Sequence, residues 1–237
     1  MEQFEVVPWL ANIVYHWMTQ LFGHHISLRD ATAFTYVLFL VVGLSAVFAI
    51  NRKRYSVVPG PIQLAVEGYY NFIRTLCLDV IGEHKGERYV SVIGTIGLFI
   101  WLSNLMGLIP GFVAPTSNLN VTAGAALFVF IYYHYQGIKD HGFGYIKHFT
   151  GPVWWLAPLF IPLEIISHLS RPLSLALRLF GNIFGEDLVI LVLFLTIFPI
   201  IAPLPVMVLA IITSTIQALV FVMLSVSYIA GAVAEEH

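Results

Sequence analysis

From Tyr89 to Ile138, and again from Leu188 to Ala234, the chain carries no aspartate, glutamate, lysine or arginine. An ordinary soluble domain is charged at about one residue in four, so uncharged runs of this length belong in lipid. No water is available there to satisfy peptide groups, and helices close their own backbone hydrogen bonds. A mean hydropathy of +0.86 and a charged fraction of 10% extend the conclusion to the whole chain. It reads as an all-α polytopic membrane protein, one membrane domain over residues 1–237, with no extramembrane stretch long enough for a separate soluble domain. A net charge of −2 gives no electrostatic footprint for nucleic acid. Cys77 is the only cysteine, so no internal disulfide forms and the redox compartment stays open. The first residues, MEQFE, carry acid in place of a basic n-region and do not read as a cleavable secretory signal.

Taken in order, residues 1–30 set Trp9, His16, Trp17, His24 and His25 among apolar residues, which suits an outer interfacial segment. His24 and His25 have no third ligand nearby, so they read as solvated loop and no metal or other cofactor is expected. A first span covers 31–50. Arg52, Lys53 and Arg54 follow as the densest basic cluster in the chain, which places that end in the cytoplasm and the N-terminus outside. Residues 59–88 mix Glu67, Asn71, Arg74 and Asp79 with apolar residues at helical spacing. They predict an amphipathic helix resting on the inner face, its charges a solvated face.

Residues 89–137 predict a helix hairpin that crosses outward and back, turning through the uncharged 111–119. Asn104, near the outer end, reads as interhelical glue. Lys139 and Lys147 return the chain to the cytoplasm. From 158 to 235 two more helices follow, divided at Pro199, Pro203 and Pro205. Thirty-odd residues at ~1.5 Å each span on the order of 50 Å, against a hydrocarbon core of ~30 Å. The first of the two must therefore tilt or break, with Pro172 a place for a kink. The expected architecture is about five transmembrane helices, one amphipathic interfacial helix, and a long, tilted antiparallel helix hairpin at the C-terminus.

Inside the first of these long helices runs EIISHLSRPLSLALRLFGNIFGED, from Glu164 to Asp187. A charge in hydrocarbon costs about 2.5 to 3.5 kcal/mol or more, so such residues face protein or water and mark ion pathways. At about 100° per residue, Arg171 and Glu164 fall within roughly 20° and 40° of Arg178, and Ser174 and Asn182 share that stripe. Asp187 points to nearly the opposite side, with Glu186 roughly 80° from the stripe. One helix thus offers an arginine to one neighbour and a carboxylate to another. On the last helix, Thr213, Gln217, Leu224 and Tyr228 make a second stripe by the same count.

RPLSLALRLFGN followed by a carboxylate resembles subunit a of the F-type ATP synthases, of bacterial type, and SNLMGLIPG and SVSYIAGAVAEEH extend the likeness. The resemblance implies a non-catalytic, proton-translocating subunit in the inner (plasma) membrane of a bacterium, C-terminus in the cytoplasm. It also implies partners: a ring of c subunits, each with a buried ion-binding carboxylate, and the b subunits of the peripheral stalk, all in membrane lipid. In that family the arginine matching Arg178 faces the ring, and two offset aqueous half-channels reach it. Gln217 matches the glutamine opposite that arginine, and Asn182 matches an asparagine expected to orient Arg178 or water. The family's acid aligns with Asp187, with Glu186 as an extra acid before it, and Ala210 stands where some relatives carry an ionisable group.

The residues support the same mechanism. Arginine does not deprotonate in a protein, so Arg178 is a poor proton relay and a good barrier between the two ends of its helix. Asp187 with Glu186 would serve an outer half-channel, and Glu164 with His168 an inner one. Adjacent carboxylates can share one proton, so the sequence leaves open which of Glu186 and Asp187 carries it. His168 suits either a relay or packing, and Arg171 reads as a structural or headgroup-binding arginine. The ion, H⁺ or Na⁺, is set by the partner's site. A secondary ion-coupled transporter is the alternative, but such folds show paired halves with broken helices, and no internal repeat is found. A membrane hydrolase would need HExxH, GxSxG or a metal cluster, and neither motif occurs. A plain anchor gives no reason to bury two arginines and three acids in one helix.

Overall fold

A computed structural model describes residues 8–22, 27–51, 60–109, 111–142, 157–195 and 201–233. Among these the chain is helical, with short turns and no strand. The basic cluster at 52–54, the histidines at 24, 25 and 148, Lys147 and the C-terminal acids lie outside the described residues.

The N-terminal segment forms helix α1 (Pro8–Phe22), which packs on α2 (Leu28–Asn51). α2 starts three residues earlier than its apolar run suggests, because Ser27 and Asp30 cap it. The Asp30 amide donates to Ser27 Oγ at 3.2 Å and the Ser27 hydroxyl donates to Asp30 Oδ2 at 2.6 Å, a reciprocal pair that satisfies an orphan donor of the first turn. The amphipathic helix is α3 (Pro61–Ile81), entered through Pro61 and stopped at Gly82. Gly82 has φ +102°, a conformation that side chains disfavour. A single turn, α4 (Glu83–Gly86), and a 3₁₀ turn, Glu87–Tyr89, then redirect the chain into α5 (Val90–Met106). Arg74 of α3 pairs with Glu87 at 2.8 Å, while Glu67 accepts from Gln63 at 2.7 Å. These are exposed structural contacts, worth little individually.

After a turn containing Pro115–Ser117, Asn118 caps α6 (Leu119–His141) by accepting from the Asn120 amide at 2.8 Å. The two long helices are α7 (Ala157–Phe194) and α8 (Pro203–Val233). α7 contains 38 residues, about 57 Å at the usual rise. It runs unbroken through Pro162 and Pro172.

Three described helical stretches are long and apolar enough to cross a membrane: Leu28–Ile50, Glu83–Met106 and Pro203–Val233. α6 falls short because Tyr132, Tyr133, His134, Tyr135 and Gln136 dilute its apolar run, and α7 because of its charges.

Contacts fix the helix order. α8 lies between α5, α6 and α7 and also touches α3. Arg171 meets Tyr228, Asn182 meets Gln217 and Glu186 meets Thr213: numbers rise on α7 as they fall on α8, so the two are antiparallel. Trp101 with Thr215 and Asn104 with Ser214 make α5 and α8 antiparallel in the same way. The helices approach closely. A Cβ on Gly97 would lie 2.6 Å from Val222 Cγ2 and 2.8 Å from the Tyr69 hydroxyl. Helices in lipid associate through packing and interhelical hydrogen bonds, with small residues admitting close approach.

Along α7, Leu175, Leu179 and Ile183 sink into the main buried cluster at one-turn spacing. Each residue just before them, Ser174, Arg178 and Asn182, is exposed. This one-residue offset turns a polar stripe to the outside of the bundle.

Candidate functional site

Midway along α7, Arg178 lies exposed between Leu173, Leu177 and Asn182, on a face otherwise lined by large apolar side chains. Among the described residues it has no hydrogen-bond or ion-pair partner. A guanidinium keeps its charge here, whatever covers it. One turn on, Asn182 Nδ2 donates to Gln217 Oε1 at 2.7 Å. Gln217 is 5% exposed, and its own Nε2 finds no partner among the described residues. This amide pair ties α7 to α8 beside the arginine.

Toward the C-terminal end of α7, the two adjacent acids take different partners. Glu186 turns to α8, where Thr213 donates to Oε1 and Ser214 to Oε2 at 3.4 Å. Asp187 lies instead on the side of the turn before α6 and the start of α2, near Ser117 and Arg29, while the Ser117 hydroxyl itself donates to the Ala114 carbonyl at 2.8 Å. Arg29 is itself fixed, donating from Nη2 to the Ser117 carbonyl at 3.1 Å with its guanidinium 5.3 Å from the centre of the Phe184 ring. Beneath these groups, Asn104 Nδ2 donates to the Ser214 carbonyl at 3.2 Å and its Oδ1 accepts from Thr116 at 2.8 Å. The asparagine is interhelical glue, as its sequence context suggests. It also holds the segment that carries the Glu186 hydroxyls.

At the other end the surroundings are aromatic. His168 Nε2 lies 3.1 Å from Glu164 Oε1, and its Nδ1 lies 3.1 Å from the Tyr133 hydroxyl of α6. The His134 ring is centred 5.1 Å from that of His168. Arg171 sits over the Tyr228 ring at 5.4 Å, a cation–π contact consistent with a structural role. Among the described residues no three His, Cys, Asp or Glu side chains converge in a way that could hold a metal ion.

Comparison with known proteins gives this arrangement a family. The model of the ATP synthase A chain matches residues 32–230. The chain belongs to the ATP synthase A chain family. It is 47% identical over 213 residues to an ATP synthase subunit a of Geobacter sulfurreducens, covering 90% of this chain and 92% of that one. It is 45% identical over 227 residues to an ATP synthase subunit a 1 of Syntrophotalea carbinolica, covering 93% and 96%. A second subunit from that organism, ATP synthase subunit a 2, is 40% identical over 235 residues, covering 99% and 98%. The chain is thus a bacterial membrane protein, part of the ATP synthase complex with its other subunits.

In this A chain, the eight residues singled out from sequence fall into three groups along α7 and its partner α8. Ser174, Arg178, Asn182 and Gln217 lie in the middle, Glu186 and Asp187 at one end, Glu164 and His168 at the other. Arg178 stands about 21 Å along the helix axis from Glu164 and about 14 Å from Asp187, too far for any side chain to bridge. Sequence reasoning missed Arg29, Ser214 and Tyr133 as members of these clusters. Arg29 and Ser117 are 88 positions apart and Tyr133 and His168 are 35 apart, so no local spacing signals either pairing.

Proposed function

We propose that this A chain is the stationary half of a proton-driven rotor, with Arg178 as the barrier between an outer half-channel at Glu186 and Asp187 and an inner one at Glu164 and His168. The supporting observation is the exposed, partnerless cation at position 178, between two polar clusters that do not reach each other. A fixed cation repels a hopping proton, so no proton passes directly between the ends.

A carboxylate brought past on a second protein, each member of a ring of c subunits, completes the circuit. At ~4 Å and an effective dielectric near 20, arginine attracts that carboxylate by about 4 kcal/mol, roughly a thousandfold in equilibrium. The attraction releases the ring's proton into one half-channel. Once past Arg178 and facing lipid, the acid must be protonated again, which it does from the other half-channel. Entry on one side and exit on the other then turns the ring in one direction and couples proton flow to ATP synthesis.

In this reading α2, α5, α6, α7 and α8 cross the inner (plasma) membrane of the bacterium and α3 rests on its cytoplasmic face. The N-terminus is outside. The antiparallel pair α7 and α8 tilts as a hairpin along the ring, which would shorten the span of its ~57 Å first helix. The b subunits of the peripheral stalk and lipid cover the remaining apolar surface, and the subunit performs no catalysis of its own.

The test is Arg178→Ala in the whole complex, reconstituted in liposomes. ATP-driven proton pumping should be lost while the subunit still inserts and assembles. Pumping at the normal rate would overturn the barrier role.

A further inference from the structure

The inner cluster contains a group that the proposed path does not yet use. Tyr133 is 1% exposed, one of the largest side chains fully enclosed in the protein, and its hydroxyl lies 3.1 Å from His168 Nδ1. On the far side of the same ring, Nε2 lies 3.1 Å from Glu164 Oε1. His168 is 12% and Glu164 37% exposed by side chain, so the three groups run in sequence from the interior of the bundle to its surface.

The two contacts constrain the tautomer. Whenever Glu164 is a carboxylate it only accepts hydrogen bonds, and Nε2 then carries the proton that faces it. A neutral imidazole then presents a lone pair at Nδ1, and the Tyr133 hydroxyl donates to it. If the ring takes a second proton, Nδ1 becomes a donor, and the phenol can turn its O–H away and accept. A hydroxyl both donates and accepts, so this single partner suits both states of the imidazole. A fixed donor such as an arginine or lysine would oppose the charged state. The other titratable or charged groups of this cluster among the described residues are Arg171 on the same helix, His134 on α6 and Tyr228 on α8.

We infer that Tyr133 is a positioning residue of the inner half-channel, holding His168 with its Nε2 proton aimed at Glu164 whether the ring is neutral or charged. This rests on the inner half-channel reading given above, and the experiment separates the two. Tyr133→Phe removes the hydroxyl and keeps the ring. In the intact complex reconstituted in liposomes it is made alone and together with His168→Gln, and ¹⁵N-histidine spectra assign His168 by difference from the His168→Gln complex.

The expected result has three parts. ATP-driven pumping falls about 2- to 13-fold in Tyr133→Phe, as losing a hydrogen bond of roughly 0.5–1.5 kcal/mol implies. Tyr133→Phe causes no further loss once His168 is glutamine. The His168 signals change from one tautomer, protonated at Nε2, to a mixture. An equal loss in both backgrounds, or an unchanged tautomer, would overturn the inference. Normal pumping in His168→Gln, with the tautomer still sensitive to Tyr133, would overturn the inner half-channel reading and leave Tyr133 only a structural role.

Discussion

The two ends of α7 solve the same problem with different materials. At the outer end, by the orientation proposed, two carboxylates diverge, Glu186 to the hydroxyls of Thr213 and Ser214 and Asp187 to the neighbourhood of Ser117 and Arg29. At the inner end one carboxylate, more than a third exposed, is joined to an imidazole and the imidazole to a phenol. The outer cluster is assembled from α2, the turn before α6, α7 and α8. The inner one lies mostly between α6 and α7, with Tyr228 of α8 at its edge. An acid held where several segments meet draws protein donors from more than one of them. An acid with more than a third of its side chain exposed can leave part of its solvation to water.

The largest effect should follow from removing both outer acids. Glu186→Gln with Asp187→Asn leaves hydroxyls but nothing to carry a proton, and pumping should fall by about 100-fold or more, the scale of losing several kcal/mol. Each single change should cut pumping only in part, because the two acids have separate partners. Complete loss in Asp187→Asn with Glu186 intact would show that one acid alone carries the proton. Glu164→Gln at the inner end should cost less, about 10-fold, since nearby water can take over for a partly exposed carboxylate. If the inner single change proved as severe as the outer double, the difference in partners would not set the hierarchy.

What the sequence could reveal follows the same division. The residues of α7 were legible because a charge in an apolar helix is conspicuous and the helical angle is fixed. In the structure Ser174, Arg178 and Asn182 of that stripe are exposed, Arg171 and Glu164 half-buried, and Glu186 meets α8. Gln217 was found from its stripe and the family resemblance together. The partners were not legible. Arg29 looks like a charge just before a first span, Tyr133 like one of several tyrosines in α6, and Ser214 like any small residue of an apolar helix. Each acquires its role from a contact between helices far apart in sequence. Helix starts also moved by a few residues where a cap such as Ser27 with Asp30, rather than hydrophobicity, sets the first turn.

The smallest predicted effect tests whether the two ends share a device despite their different make-up. Thr213 donates to Glu186 and Tyr133 lies at His168 Nδ1, so each end has a titrating group with a hydroxyl beside it. The fixed donors nearby, the Asn104 amide and the Arg29 guanidinium, are directed to backbone carbonyls. A hydroxyl can serve a carboxylate as donor and a carboxylic acid as acceptor, so the acid can gain and lose its proton without repacking its neighbours. Thr213→Ser keeps that property and should pump close to normally, whereas Thr213→Val keeps the shape and should slow pumping about 3- to 10-fold, within the range of one hydrogen bond. The Thr213 hydroxyl also has the Leu209 and Ala210 carbonyls of its own helix within reach as alternative acceptors, so a purely structural loss would appear as less assembled complex, which immunodetection of the purified enzyme measures. Slow pumping in Thr213→Val at full assembly would mark the outer hydroxyl as a functional counterpart of the phenol at the inner end, and normal pumping would confine the device to the inner end alone.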